Sequence, residues 1–426
     1  MRRAFIASAA AGVLFVVLVY AHVDGVNGPS YFRWRWYHTG NQLTTALLLF
    51  AAASPALVAQ WMRKRRAALA LVAVTPALLQ FTAIELWPAP LHGMQRAAAI
   101  VGHPMITSYF TVAQKIGGTA TWLRDFPQIL HDAPMHAATK PPGPIAFFLA
   151  MGNASAAAYT MLAFGPIAVL ATYFAVRAIA GETPALHAAT MLALVPSMTA
   201  IYPQMDWLYA VFSISAVALW HLALESNDRR AAIAFGLVLF VMTLFTYSLL
   251  VLGATFVLMM IGKHDVERPL RIALGTAVGA YILFCAITGY DAYGTFQTAL
   301  ARQSEIMGRM NAEWTLTGHA RNYPYTILGD LQDFAFGLGW IPIVIALWSA
   351  AARRRLWIFV ATPVIVAVAG LLAAETARVW IFVMPLVILA AAIELATWTM
   401  RERVITYALM IASAIAVYAN AAFLLI

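Results

Sequence analysis

The stretch His136-Ala-Ala-Thr-Lys-Pro-Pro-Gly-Pro144 puts an imidazole, a cation and adjacent prolines side by side. Pro141 and Pro142 fix φ and remove two N–H donors. They also bias the residues before them away from helix. The product is a rigid extended corner that holds Lys140 and His136 at the lip of an apolar run, 145–152. A plain loop between helices has no need of that chemistry. Other groups able to hold or move a proton are His103, Asp125 and Asp132, which precede the corner. Glu85 ends an apolar run, where a carboxylate is costly unless paired or functional. Asp24 opens the turn-rich segment Asp24-Gly-Val-Asn-Gly-Pro-Ser30, where an Asx-type turn is the plainer reading. Glu375 and Arg378 stand three apart on one helix face. They form a structural ion pair, or Arg378 turns towards an anion. The ten histidines show no ligand spacing, and no acid pair suits a divalent ion, so neither a metal nor a cofactor is expected.

The elements that position these residues are set by composition. The chain is 62% hydrophobic and only 11% charged, with a mean hydropathy of +0.78. Apolar runs of about 20 residues recur from end to end, which predicts an all-α polytopic membrane protein. The first run is too long for the apolar part of a secretory signal and reads as an anchored helix. The single cysteine, Cys285, excludes an intramolecular disulfide and reads as a small core residue. The net charge of +9 does not call for nucleic acid. Its cations fall in short tracts between apolar runs, at Arg2-Arg3, Arg63–Arg66, Arg229-Arg230, Lys263 with Arg268 and Arg271, Arg353–Arg355, and Arg401 with Arg403. That is the positive-inside pattern of a cell-membrane protein with a cytoplasmic N-terminus.

About thirteen spans follow: 4–22, 41–62, 67–87, 154–178, 184–202, 206–224, a hairpin within 231–261 turning near Thr246-Tyr247, 270–290, 334–352, 356–374, 379–399 and 404–426. Two long segments, 88–144 and 291–333, lie on the outer face. More than half of the 18 acids fall on that face too, so chemistry is expected there. The run Tyr31-Phe-Arg-Trp-Arg-Trp36 reads as an interfacial aromatic belt with two cations, or as a surface for a sugar or a lipid phosphate. Within 88–144, apolar residues at Ile106, Tyr109, Phe110, Ala113 and Ile116, and again at Trp122, Phe126, Ile129 and Leu130, recur at helical spacing. They predict two amphipathic helices lying at the interface.

The order of these pieces resembles the first outer loop of the GT-C membrane glycosyltransferases. Thr107-Ser108-Tyr109 opens one interfacial helix, a second follows, and Lys140-Pro-Pro-Gly143 closes the loop. The nearest branches are the lipid A aminoarabinose transferases and the protein O-mannosyltransferases. Asp206, behind Met205, resembles the family's second acid, and Arg378-Val-Trp-Ile-Phe-Val-Met-Pro385 its late basic-aromatic span. The resemblance covers roughly 67–385. It implies two added helices in 1–66, a catalytic module in 67–290 with its loop 88–144, an outer loop 291–333 and closing helices in 334–426.

The resemblance implies a sugar transfer from a polyprenyl-phosphate donor to a glycan, lipid or protein acceptor on the outer face, with inversion. Such a reaction needs one base for the acceptor hydroxyl and cations for the departing phosphate. Lys140, His136, Arg378 and Arg321 are the candidate phosphate ligands, and Ser108, Tyr109, Pro141, Pro142 and Gly143 the substrate loop. The chain departs from the family at one place. Thr107-Ser108 stand where an acidic pair is usual. The base is therefore sought among Asp206, Asp24, Glu85, Asp125, Asp132 and His103. Two other readings stay open. A transporter or flippase for a lipid-linked glycan would need ionisable residues at mid-span and paired broken spans, which the sequence scarcely offers. A catalytically silent scaffold would explain the vacated acidic pair.

Overall fold

The structure is a computed structural model that describes residues 2–29, 32–87, 91–106, 108–118, 121–134, 136–316, 323–370, 372 and 375–423. Nearly all of it is helical. α1 (Arg2–Tyr20), α2 (Gln42–Val58) and α3 (Arg65–Leu86) come first. The segment after α3 folds into short helices: α4 (Gly93–Gly102), α5 (Ser108–Ile116), α6 (Phe126–Asp132) and α7 (Gly143–Met151). α8 (Ala154–Met161), α9 (Phe164–Ala180), α10 (Glu182–Ala193), α11 (Pro196–Ala200) and α12 (Asp206–Ser226) build the centre of the bundle. α13 (Arg229–Phe245), α14 (Gly253–Met260), α15 (Glu267–Thr288) and α16 (Ala292–Leu316) follow. The chain closes with α17 (Thr326–Leu338), α18 (Trp340–Ala352), α19 (Trp357–Ala369), α20 (Thr376–Val379), α21 (Met384–Leu395) and α22 (Met400–Asn420). A two-residue strand, β1 (Arg35–Trp36), pairs antiparallel with β2 (Ala421–Ala422).

Local chemistry explains where helices begin. Asn41, Asn153 and Asp228 each accept a backbone N–H at the start of α2, α8 and α13. Thr399 and Glu402 form a reciprocal capping box on α22. Packing then selects the interior. α9 lies against α10 and α12, α10 against α21, and α1 against α18 and α22. α21 is buried along almost its whole length.

Among the described residues, seven helices are long and apolar enough to cross a membrane, or eight if the bent pair α17–α18 is one span. The expected thirteen are not reached. The expected span at 184–202 is split between α10 and the five-residue α11, with Pro196 opening the second piece. The one at 334–352 bends by 108° where α17 meets α18. Gly339, at φ +82°, makes that bend in a region of backbone space that side chains disfavour. α19 stops after 13 residues. Apolar composition counts residues able to sit in lipid; it does not register whether the helix that carries them is continuous.

The stretch 231–261, expected as a hairpin of two short spans, folds as a helical hairpin whose arms are shorter than the seven long apolar helices. α13 leaves from the end of α12 marked by Glu225, stops at Phe245, and a 3₁₀ turn (Tyr247–Leu252) leads into α14. Lys263, just beyond α14, pairs with Glu225 and so returns to the starting end. Trp220 of α12 fastens the hairpin, donating to the Phe256 carbonyl at 3.0 Å and stacking on Phe235. The segment expected as an outer loop at 291–333 is largely helix. α16 lies on α6 and on the turn Ala137–Thr139, and Arg302 Nη2 donates to the Ala133 carbonyl at 3.4 Å.

Candidate functional site

The Pro-Pro corner is built into the bundle. Pro141, Pro142 and Gly143 are buried, and the corner abuts the break between α13 and the 3₁₀ turn. Thr246 is extended there (φ −162°, ψ 134°), and its hydroxyl caps the turn by accepting from Ser248 N at 3.2 Å. Lys140 Nζ donates to Thr246 Oγ1 at 2.9 Å and to Ser248 Oγ at 3.0 Å. Hydrogen bonds to a charged group contribute about 1.5–3 kcal/mol each, so two of them hold the ammonium in place without neutralising it. Gly143 permits the close approach: a Cβ there would fall 2.5 Å from the Leu244 carbonyl oxygen and 2.8 Å from the Phe245 ring. Ser108 pins the other side of the loop, its hydroxyl accepting from the buried Ala137 N–H at 2.9 Å. Tyr109 stacks on Phe148 of α7.

Two more elements bring charge to the same place. Asp206 opens α12 and is buried. Arg378 sits on the short helix α20, and its Nη1 lies 3.8 Å from Asp206 Oδ2. Arg378 Nη2 also pairs with Glu375, which precedes α20 with a left-handed φ of +53°. The guanidinium lies over the Phe423 ring, 5.7 Å from its centre, and its Nε has no hydrogen-bond partner. Breaking a buried ion pair leaves an uncompensated charge at a cost of about 3–5 kcal/mol. Arg378 is shared by two carboxylates and escapes that cost while retaining an unused donor.

The electrostatics tie these groups to the corner. Burial pushes the Lys140 ammonium down to about 8; the Asp206 carboxylate works against this fall and the Arg378 charge adds to it. Burial, then the charge of Arg378, pushes the His136 imidazole down to about 4, so it is neutral near pH 7. Tyr109 is raised by burial and by Asp206, and keeps its phenolic proton. Arg378 is raised by Glu375 and then Asp206, against the effect of burial, and stays a cation. The site therefore combines two carboxylates, two cations, a neutral imidazole and a phenol. Such a set can take a proton from a hydroxyl and hold an anion.

Of the residues singled out in the sequence, Asp206, Lys140, His136, Arg378 and Tyr109 converge here. Pro141, Pro142, Gly143 and Ser108 build the loop around them. The other candidate bases lie elsewhere. Asp24 is exposed and pairs with Arg33 at 3.6 Å. Asp132 is exposed and pairs with His131, which lowers its carboxyl. Asp125 is exposed at the start of α6. Glu85 is exposed, its carboxylate against Gly93 at the start of α4. His103 Nδ1 accepts from Met105 N at 3.3 Å. Arg321 and Thr107 lie outside the described residues. Two parts of the site went unread in the sequence. Glu375 was visible only as an i,i+3 partner. Thr246 and Ser248 were hydroxyls interrupting an apolar run, a signal for the turn but not for a lysine ligand. Among the described residues, no three His, Cys, Asp or Glu side chains gather as a metal site would need.

Among the described residues, seven to eight helices long and apolar enough to cross a membrane define a multi-span helical membrane protein. No protein-family model matches the chain, and no curated protein does. Among solved structures, it is similar to the Archaeoglobus fulgidus oligosaccharyltransferase in complex with Zn and sulfate, with a TM-score of 0.40 and 14% sequence identity. The likeness covers 82% of this chain and 53% of that one, so the chain spans about half the length of the protein it matches.

Proposed function

We propose that the protein is a membrane glycosyltransferase that moves a sugar from a polyprenyl-phosphate donor to an acceptor hydroxyl on the outer face of the membrane, with inversion. The observation that carries this reading is the convergence of Asp206, Lys140 and Arg378. They come from three separate stretches of chain: Asp206 and Arg378 lie 3.8 Å apart, and Lys140 feels the charge of both. Asp206 is the base: its carboxylate takes the proton as the acceptor oxygen attacks the anomeric carbon. The bond from that carbon to the phosphate oxygen breaks, and its electron pair leaves with the lipid phosphate. Lys140 and Arg378 hold that phosphate as its charge grows. The neutral His136 is a donor or acceptor at its edge. Donor binding also frees the base: a phosphate oxygen on Arg378 competes with Asp206 for the same guanidinium.

The test is transfer in membranes from a radiolabelled polyprenyl-phosphate sugar, comparing wild type with Asp206→Ala and Lys140→Ala. Both variants are expected to insert normally and to transfer nothing. Wild-type transfer surviving both changes overturns the assignment. If the donor crosses sealed vesicles intact while no sugar is transferred, the flippase reading replaces it. A wild-type protein that binds the donor but neither moves nor cleaves it is the silent scaffold.

A further inference from the structure

We infer that Trp34 and Asp333 are positioning residues for Arg378, so that the segment between α1 and α2 is part of the site. The inference rests on the proposed role of Arg378 in holding the donor phosphate. Asp333 is a buried carboxylate on α17, 1% exposed, that the reaction above does not use. Its Oδ2 accepts from Ala377 N at 2.9 Å and from Thr376 Oγ1 at 3.2 Å. Those are the two residues before Arg378. Its Oδ1 accepts from the indole Nε1 of Trp34 at 2.9 Å. The carboxylate therefore fixes the first turn of a four-residue helix that is too short to hold itself.

Trp34 also supports the ring over which the guanidinium lies. Its ring packs on Phe423, 5.2 Å between centres, and on Phe336 at the same distance. Phe423 is the ring beneath Arg378. Pairing of Arg35 with Ala422 and of Trp36 with Ala421 holds Phe423 at that height. Phe32 packs on Phe423 from the other side of Trp34 in sequence. Trp34 itself is locked, its backbone N–H donating to the Asn27 carbonyl at 2.9 Å and its carbonyl accepting from the Asn27 side-chain amide. One side chain thus controls both the helix that carries Arg378 and the surface on which its guanidinium rests. A displacement of about 1 Å in a phosphate ligand is enough to weaken a site of this kind.

The experiment uses the full chain in detergent and a short-chain polyprenyl phosphate as the probe. Trp34→Phe keeps the ring stack and removes the N–H; Asp333→Asn keeps the shape and removes the charge. Each is expected to weaken binding about tenfold, the loss of one hydrogen bond to a charged group. The deciding readout is a double-mutant cycle. Trp34→Phe added to Arg378→Gln is expected to cost nothing further, because the residue being positioned is already gone. Added to Lys140→Gln it is expected to multiply. A residue that only stabilises the fold would multiply with both. Wild-type affinity in Trp34→Phe and Asp333→Asn, or a loss that multiplies with Arg378→Gln, overturns the inference. An Arg378→Gln single variant that binds as wild type overturns the phosphate role on which it rests. If Trp34→Phe does not accumulate, Asp333→Asn carries the same cycle.

Discussion

Lys140 gives the most quantitative test of the site. Its ammonium is held at about 8, well below the ordinary lysine value of 10.5. It is therefore about nine-tenths charged at pH 7 and about one-tenth charged at pH 9. A phosphate ligand needs the charged form, so the affinity lost with the cation appears as pH rises through 8, not as it falls. Polyprenyl phosphate is close to its dianion throughout this range, since its second proton leaves near pH 6. Affinity for it is expected to be flat from pH 7 to 8 and to fall about tenfold per unit above that. An unperturbed lysine would hold affinity to beyond pH 10. Lys140→Arg, always charged, is expected to remove the fall, and Lys140→Gln to bind weakly at every pH. Folding stability moves the other way. The unfolded chain holds this proton up to about 10.5, so the cost of burying the charge, fully present below pH 8, is relieved as pH rises from 8 to 10.5. The assay is titration of detergent-solubilised protein with polyprenyl phosphate from pH 7 to 10. The reasoning is refuted if Lys140→Gln binds as wild type, or if Lys140→Arg keeps the same fall above pH 8.

Three further outcomes follow from the geometry. Asp206→Asn is expected to lower turnover by about 10² to 10⁴ while donor affinity holds or improves, because the amide no longer competes for Arg378; initial rates and equilibrium binding separate the two. Gly143→Ala would set a Cβ 2.5 Å from the Leu244 carbonyl oxygen and is expected to cost about 1–3 kcal/mol, read as a lower thermal midpoint. Asn at Asp24, Asp125 or Asp132, all exposed, is expected to leave initial transfer rates close to wild type; a large loss at any of them would move the base away from Asp206.

Much of the site was legible before any coordinates. Adjacent prolines and a lysine announce a rigid cationic corner by their chemistry alone. Thr246-Tyr247 announces a turn because it interrupts an apolar stretch too long for one span. What was not legible was depth. Asp24, Asp125, Asp132, Glu85 and Asp206 all read as acids on one face, and only packing separates the buried one from the exposed four. Trp34 has the same difficulty in reverse. An aromatic beside a span reads as an interfacial anchor, since the sequence does not say whether its N–H meets a headgroup or a buried carboxylate. The span count failed for a related reason. α10 with α11, and α17 with α18, read as continuous apolar stretches, whereas the chain breaks where Pro196 opens α11 and where Gly339 turns between α17 and α18.

The contact of Arg378 with Asp206 bears on how charge would move in the proposed transfer. Asp206 and a diester donor begin with one negative charge each. In the proposed transfer the aspartic acid ends neutral and the liberated lipid phosphate carries two. The total is unchanged; one negative charge has only travelled from one side of a single guanidinium to the other. Arg378 faces nearly the same field at both ends of that path, so the site has little charge to reorganise around as the bond breaks. The step is in addition electrically quiet, with no net charge crossing the membrane, and its rate is expected to be insensitive to membrane potential.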